Sequence, residues 1–247
     1  AFAPDNRRLA SAGNDGRVLL WSVDSDEPPR EFSRHDHVIT GLQFAARSQR
    51  LATIGFQQKL KLYNSLNGEL VEQFSCPCKD MRAVAFSQDE DRLAVGGRNG
   101  LIRVWNLSDG TIAFEVKAHR QRIRAIAYSP DGTRIVSAGE DRQLRIGRSD
   151  DGREIRSLPC QGTKVLAVSF LAADQVAVAG SDNRIHIWNI KDGRQAGILA
   201  GHTGSVTSLQ SSGNWVASGS YDTTVRVWHL QRLQFDNHAL RFAPHHQ

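Results

Sequence analysis

Apolar runs of four to six residues recur along the chain, separated by polar, glycine-containing turns. One kind of run closes on an aromatic: Val18-Leu19-Leu20-Trp21, Leu60-Lys61-Leu62-Tyr63, Ile102-Arg103-Val104-Trp105, Ile185-His186-Ile187-Trp188 and Val225-Arg226-Val227-Trp228. Leu144-Arg145-Ile146-Gly147 keeps the same frame with glycine at the close. The closing positions 21, 63, 105, 147, 188 and 228 lie 42, 42, 42, 41 and 40 residues apart. A second kind of run ends at Phe2, Phe44, Phe86, Tyr128 and Phe170, spaced by 42 throughout. A third kind, such as Arg50-Leu51-Ala52-Thr53 or Trp215-Val216-Ala217-Ser218, precedes a small-residue patch in each unit. Runs this short, rich in β-branched and aromatic residues, predict strands and not helices.

The 21 glycines then acquire positions. Asn67-Gly68, Asp109-Gly110, Asp151-Gly152 and Asp192-Gly193 follow the aromatic and read as tight-hairpin dipeptides, where the turn needs a positive φ. Pro130-Asp131-Gly132 reads as the turn between the first two strands of its unit. Gly13, Gly55, Gly97, Gly139, Gly180 and Gly219 end the second strand, where a glycine lets neighbouring backbones approach closely.

Four short antiparallel strands in about 40 residues cannot bury both faces of their sheet. Stacking such units radially does so and protects the edges. The pattern therefore predicts an all-β fold, a β-propeller of four-stranded antiparallel blades, as one domain over residues 1–247 with six repeats visible. Ala239-Leu240-Arg241-Phe242-Ala243-Pro244 reads as a further first strand, so 231–247 is expected to hold part of another unit. Phe242 follows Trp228 by 14 residues, where earlier steps of this kind are 23. Three readings are open: a piece of a longer, seven-bladed ring, a closed six-bladed ring whose tail laces onto the first blade, or residues missing from the numbering. Both ends break inside a repeat, which favours the first.

These residues resemble the WD-repeat family of propellers over nearly the whole chain. The fullest match is Gly201-His202, Val206, Ser218-Gly219-Ser220-Tyr221-Asp222 and Val225-Arg226-Val227-Trp228. The resemblance implies a hydrogen-bonded tetrad of His202, Ser218, Asp222 and Trp228. Such a set is physically sensible, because a buried carboxylate needs donors that imidazole, hydroxyl and indole supply. Partial sets are Ser11, Asp15 and Trp21; His119, Ser137 and Asp141; and Asp182 with Trp188, where Gln161 takes the histidine place. His35 stands with Gln57 and Tyr63, and the third repeat has Pro77 and Asn99 at the histidine and aspartate places, which predicts weaker cohesion there.

Sets of His, Ser and Asp superficially look like a hydrolase triad. Their recurrence on the repeat grid makes them fold glue. There is no G-x-S-x-G elbow, no glycine-rich loop leading from a strand into a helix, and no amphipathic helix. His186 falls where Lys61, Arg103, Arg145 and Arg226 fall, and reads as a solvated strand residue. His245 and His246 are too few for a metal tract. The expectation is a chain that is not an enzyme and needs no cofactor or metal.

Composition adds bounds. With 40% hydrophobic and 23% charged residues the chain is globular and not disordered. No run of 18 apolar residues exists, which excludes a transmembrane helix, and no signal peptide is visible. Three cysteines, Cys76, Cys78 and Cys160, are not a disulfide framework, and a reducing, cytoplasmic setting is the simpler reading. Lys and Arg exceed Asp and Glu by 31 − 26 = 5.

The resemblance implies a macromolecular partner, held by residues that flank the first strand or precede the tetrad aspartate. Those positions include Arg82, Arg98, Arg122, Arg124 and Lys164, with Asp80 and Glu140 against them and Phe56 and Tyr221 as aromatic anchors. Arginines there suit an acidic peptide, a phosphopeptide or an acidic protein loop. The bland alternative is an ordinary solvated surface in a basic protein. The favoured function is a non-catalytic scaffold or sensor that binds a protein or peptide. The alternatives are a nucleic-acid-binding basic face, short of aromatics for base stacking, and a propeller hydrolase. The repeats also look like propeller arrays of bacterial regulatory proteins, where other domains of a longer parent chain carry the activity.

Overall fold

A computed structural model describes residues 1–56, 58–160 and 162–230. Among these residues every regular element is a strand, and no helix is long and apolar enough to cross a membrane. The chain divides into two compact units, Ala1–Lys117 and Ala118–Gln247.

The first unit holds three antiparallel sheets. The first sheet is β1 (Arg8–Ala12), β2 (Arg17–Ser22) and β3 (Arg30–Arg34), with one bridge from Phe2 to Leu9 at its open edge. The second is β4 (Ile39–Phe44), β5 (Arg50–Gly55), β6 (Lys59–Asn64) and β7 (Leu70–Ser75). The third is β8 (Ala83–Phe86), β9 (Arg92–Gly96), β10 (Leu101–Asn106) and β11 (Ile112–Lys117).

The second unit holds three more. The fourth sheet is β12 (Ile123–Tyr128), β13 (Arg134–Gly139), β14 (Gln143–Arg148) and β15 (Glu154–Pro159). The fifth is β16 (Val165–Ala172), β17 (Gln175–Gly180), β18 (Arg184–Asn189) and β19 (Arg194–Ala200). The sixth is β20 (Val206–Ser212), β21 (Trp215–Ser220) and β22 (Val225–His229). The all-β expectation of six antiparallel repeats is met, with four strands in the middle four sheets and three in the first and sixth among the described residues. The strand expected within 231–247 lies outside the described residues.

Within each unit the core lies between sheets. In unit one Leu60 and Leu62 of β6 meet Met81, Leu93 and Val95 of the next sheet. In unit two Leu144 and Ile146 of β14 meet Val165, Val176 and Val178, and Ile185 and Ile187 of β18 meet Val206, Val216 and Trp228. Each such side chain, fully buried, contributes about 1.5–3 kcal/mol. This explains the third-strand pattern: the apolar pair faces the next sheet, and the residue between points away. Polar reaches add to it. Glu90 accepts the N–H groups of Arg47 and Ser48 at 2.5 and 2.7 Å, and Arg134 pairs with Asp174 at 2.8 Å.

Four details depart from the expectations. First, the Asn-Gly and Asp-Gly dipeptides do not make two-residue hairpins. Gly68, Gly110, Gly152 and Gly193 do have positive φ, but each donates its N–H four residues back, to Asn64, Asn106, Arg148 and Asn189. The connection is one helical turn ended by a left-handed glycine. Second, close approach holds at four of six glycines. A Cβ at Gly55, Gly97, Gly139 or Gly180 would run into a carbonyl oxygen of Val38, Cys78, Arg122 or Lys164, whereas Gly13 meets nothing nearer than Asp15 at 3.8 Å and Gly219 meets only the Ser208 side chain.

Third, bulges recur in phase with the repeat. β4, β12, β16 and β20 each shift register near their starts, leaving Thr40, Arg124, Leu166 and Thr207 opposite no partner. A bulge re-aims the extra residue's side chain, and no feature of the hydrophobic pattern announces it. Fourth, the Cys76 and Cys78 sulfurs are bonded, with both residues buried and their Cα atoms 5.1 Å apart, while Cys160 is free. That separation lies within disulfide reach. The bond is a single link between near neighbours along the chain.

Gly139→Ala should lower the midpoint of thermal unfolding by several degrees, because a backbone carbonyl must move. Gly13→Ala should stay within about 0.5 kcal/mol of the parent, as for an ordinary surface change. Equal midpoints for the two variants would refute the close-approach reading.

Candidate functional site

The polar sets come together as the resemblance implied, sheet by sheet. In the sixth sheet the Trp228 indole donates to Ser218 Oγ at 2.9 Å, Ser218 meets His202 Nε2 at 2.8 Å, and His202 Nδ1 meets Asp222 at 2.8 Å. Burial disfavours the Asp222 charge, but hydrogen bonds from Thr224, the Thr203 N–H and His202 outweigh it and hold the carboxyl below its ordinary range. In the fourth sheet His119 bridges Asp141 at 2.9 Å and Ser137 at 2.8 Å, with Gly147 in place of the aromatic. In the first sheet Trp21 donates to Ser11 at 2.8 Å, while Asp15 turns to Arg17 at 2.6 Å.

The fifth sheet differs from expectation. His186 is not solvated: its side chain is 14% exposed and its Nε2 lies 2.6 Å from Asp182. Burial raises the pKa of Asp182, and the His186 contact and neighbouring donors bring it below the usual value. Gln161, at the tetrad histidine place, lies outside the described residues. The serine place holds Val178, and the buried Trp188 Nε1 has no hydrogen-bond partner among the described residues. His186 looks outward in the sequence because four of the other five sheets put a cation at its position and the first puts Leu19 there.

In the second sheet His35 Nε2 lies 3.0 Å from Thr53 Oγ1 and 3.3 Å from the Tyr63 hydroxyl. Gln57, at the aspartate place, lies outside the described residues. Burial, with Lys61 adding to it, lowers the His35 pKa from 6.5 to about 4. In the third sheet Asn99 donates to the Pro77 carbonyl at 2.9 Å, and Val95, Cys78, Met81 and Trp105 pack as apolar core in place of a tetrad.

The fourth and sixth sheets show the Asp-His-Ser bonding order of a hydrolase triad, but Ser137 and Ser218 are buried, which keeps a substrate from either hydroxyl. Burial, then the Asp182 charge, pushes the Cys160 thiol up to about 12, so it stays protonated.

The candidate contact residues share a backbone device. Phe56, Glu140, Ser181 and Tyr221 each donate their N–H to the residue just before the first strand: Val38, Arg122, Lys164 and Ser205, at 3.0–3.3 Å. Arg98 does the same with Lys79 at 2.8 Å, one residue earlier, where Lys79 and Asp80 both have positive φ. This bond brings the residue before the aspartate place beside the first-strand flank in the second to sixth sheets. In unit one the Arg82 guanidinium lies 5.1 Å from the Phe56 ring centre and 3.0 Å from Asp80. In unit two Arg124 and Arg122 both reach Glu140 Oε1, at 2.8 and 3.4 Å. Arg98 and Lys164 are exposed, with no side-chain ion pair among the described residues, and Tyr221 is 77% exposed.

A family model described as WD domain, G-beta repeat matches residues 1–22, 68–106, 110–146, 152–189 and 193–229. The stretch between the first two matches carries most of the second sheet, which keeps the same strand order. Among curated proteins, the chain is similar to mitochondrial division protein 1 of Neurospora crassa, 36% identical over 83 residues, covering 33% of this chain and 13% of that protein. The protein of that name in Pyricularia oryzae is 37% identical over 89 residues, covering 36% and 14%. A periodic tryptophan protein 2 homolog of Caenorhabditis elegans is 32% identical over 79 residues, covering 31% and 9%. The match thus spans no more than 14% of the length of each of these relatives.

Two predictions follow from the polar sets. Val178→Thr places a hydroxyl where Thr53 and Ser218 stand, so it should recover about 1 kcal/mol relative to Val176→Thr, a similarly buried site with no waiting donor. Equal losses in urea unfolding would deny Trp188 the role of waiting donor. His35 resists protonation in the folded chain, so its contribution is complete above pH 6.5 and drains away as pH falls toward about 4. His35→Gln should flatten the stability slope in that window, and an unchanged slope would refute the assignment.

Proposed function

The chain belongs to the WD-repeat family of β-propellers, and on that footing we propose that it is a non-catalytic interaction module that binds an acidic peptide or acidic protein loop. In unit one the residues in contact are Arg82 and Phe56; in unit two they are Arg122 and Arg124, with Tyr221 as that unit's aromatic anchor. The observation that carries this reading is the arrangement of Arg82, Arg122 and Arg124. Each is held partly buried against a carboxylate of its own unit, and Arg82 is also stacked over a ring that is 43% exposed.

Pre-positioned guanidiniums lose little side-chain entropy when a second carboxylate arrives. The carboxylates do not neutralise them. Unit one sets Arg82 and Arg98 against Asp80, 2 − 1 = +1, and unit two sets Arg122, Arg124 and Lys164 against Glu140, 3 − 1 = +2. An exposed aromatic beside a fixed arginine has the composition of an interface hot spot. The names of the curated relatives describe no enzyme, which agrees with buried serines and a protonated thiol.

A fluorescence-anisotropy titration with Glu-rich and phosphoserine peptides checks this. Binding should weaken with added salt. Arg82→Glu, or Arg122→Glu with Arg124→Glu, should each cost at least about tenfold in Kd, equivalent to about 1.4 kcal/mol. Peptide affinity unchanged in both variants would remove these residues from consideration. Tighter binding of single-stranded oligonucleotide than of any peptide would favour a nucleic-acid ligand instead.

A further inference from the structure

The loop that leads into the first strand is pinned differently in the third sheet. In the fourth sheet side chains hold it: His119 meets Asp141 at 2.9 Å, and the Arg120 N–H donates to the same carboxylate at 3.1 Å. In the sixth sheet His202 and the Thr203 N–H do the same with Asp222, at 2.8 and 2.9 Å. The third sheet has Pro77 and Asn99 at those two places. Its loop, residues 76–82, carries instead the bond between Cys76 and Cys78.

That loop is tightly bent. Lys79 and Asp80 have φ of 48° and 41°, a left-handed pair without a glycine. Such a pair persists only where its surroundings hold it. The Arg98 N–H donates to the Lys79 carbonyl at 2.8 Å, and Asn99 Nδ2 donates to the Pro77 carbonyl at 2.9 Å. A Cβ on Gly97 would lie 2.1 Å from the Cys78 carbonyl oxygen, so the loop lies directly on the second strand's end. Both cysteine side chains are buried, in the cluster that includes Phe74, Met81 and Trp105. Two bonded sulfurs lie about 2 Å apart, a separation that two thiols cannot reach. In a close-packed site the extra room must come from the backbone. The loop itself can give that room, since Pro77 and Lys79 are exposed. Asp80 and Arg82 ride on it: Arg82 pairs with Asp80 at 3.0 Å and lies 5.1 Å from the Phe56 ring centre.

We propose that Cys76 and Cys78 form a redox switch that sets the backbone of residues 79–82, and with it the contact of Arg82 with Phe56. The reductant is a dithiol. One of its thiolates attacks a cysteine sulfur, and the other cysteine leaves as a thiolate and takes a proton. The second thiol of the reductant then displaces the mixed disulfide. The protein ends with two thiols and the reductant as a cyclic disulfide, so two electrons and two protons pass to the protein. In the bonded form the loop keeps its left-handed pair and presents Arg82 over Phe56. In the reduced form it relaxes that pair and frees the Lys79 carbonyl from Arg98. Cys160 takes no part, being unpaired and in the other unit. That the contact matters to a partner rests on the peptide-binding reading; that the bond sets the contact does not.

Hydrogen exchange of the Arg98 amide, donor to the Lys79 carbonyl, reads the loop in the full chain. The Glu140 amide, which donates to Arg122 in unit two at 3.0 Å, is the internal control. Oxidised protein is compared with protein reduced by dithiothreitol, and thiols are counted in denaturant. The oxidised protein should show one free thiol and the reduced protein three. Reduction should speed Arg98 exchange by at least about tenfold and leave Glu140 unchanged. Cys76→Ser with Cys78→Ser should match the reduced parent under both conditions, and Cys160→Ala should keep the response. Faster Arg98 exchange with unchanged peptide affinity would sustain the switch and count against Arg82 as a peptide contact. Four results would overturn the proposal. They are three free thiols in the oxidised protein, equal Arg98 exchange in the two states, a Glu140 amide that speeds together with Arg98, and a response that disappears in Cys160→Ala.

Discussion

The constraint on which the structure depends is that no sheet in this chain can bury both of its faces. Each is four short strands or fewer, apolar on both sides, with only a neighbouring sheet of the same kind to exclude water. The repeat period, the small residues of the second strand and the apolar pair of the third all serve that one contact. Stability is consequently shared between neighbours: Ile185 and Ile187 are core only because Val206, Val216 and Trp228 stand against them.

Polar glue is secondary to this contact, and the sheets show how far it can decay. The sixth sheet has the full Trp-Ser-His-Asp set, the fourth lacks the aromatic, and the fifth pairs its aspartate with a histidine from a different strand position. The third has replaced the set with apolar side chains, and its sheet keeps all four strands. Such a replacement is physically allowed. A buried polar network costs its full desolvation when half-satisfied, whereas an apolar replacement of similar shape leaves no donor or acceptor stranded. Trp188 shows the awkward middle case, an indole N–H without an acceptor among the described residues.

The contact residues obey a different logic, because nothing in the fold requires their charge. In the second, fourth, fifth and sixth sheets a backbone bond and a bulge bring two positions of one sheet together, whatever side chains they carry. The backbone device is thus constant while the chemistry at its edge varies, from Phe56 and Thr40 to Ser181 and Leu166. This separation lets one fold serve many partners, and it is why the fold alone names none of them.

By itself the sequence determined the all-β class, the kinds of strand in each repeat and the phase of the repeats. Those follow from local alternation and from a period that no accident of composition produces. The resemblance to the WD-repeat family, carried by the residues of the sixth repeat, implied the His202, Ser218, Asp222 and Trp228 set. Only the tertiary structure decided what depends on backbone path or on a neighbour. It replaced the tight hairpins with helical turns, turned His186 inward onto Asp182, and joined Cys76 to Cys78. It set Arg82 against Phe56 and gave Arg122 and Arg124 one shared carboxylate. The physical reason is the same throughout: alternation tells which way a side chain points within its own strand, but whether something waits there is set by the next sheet.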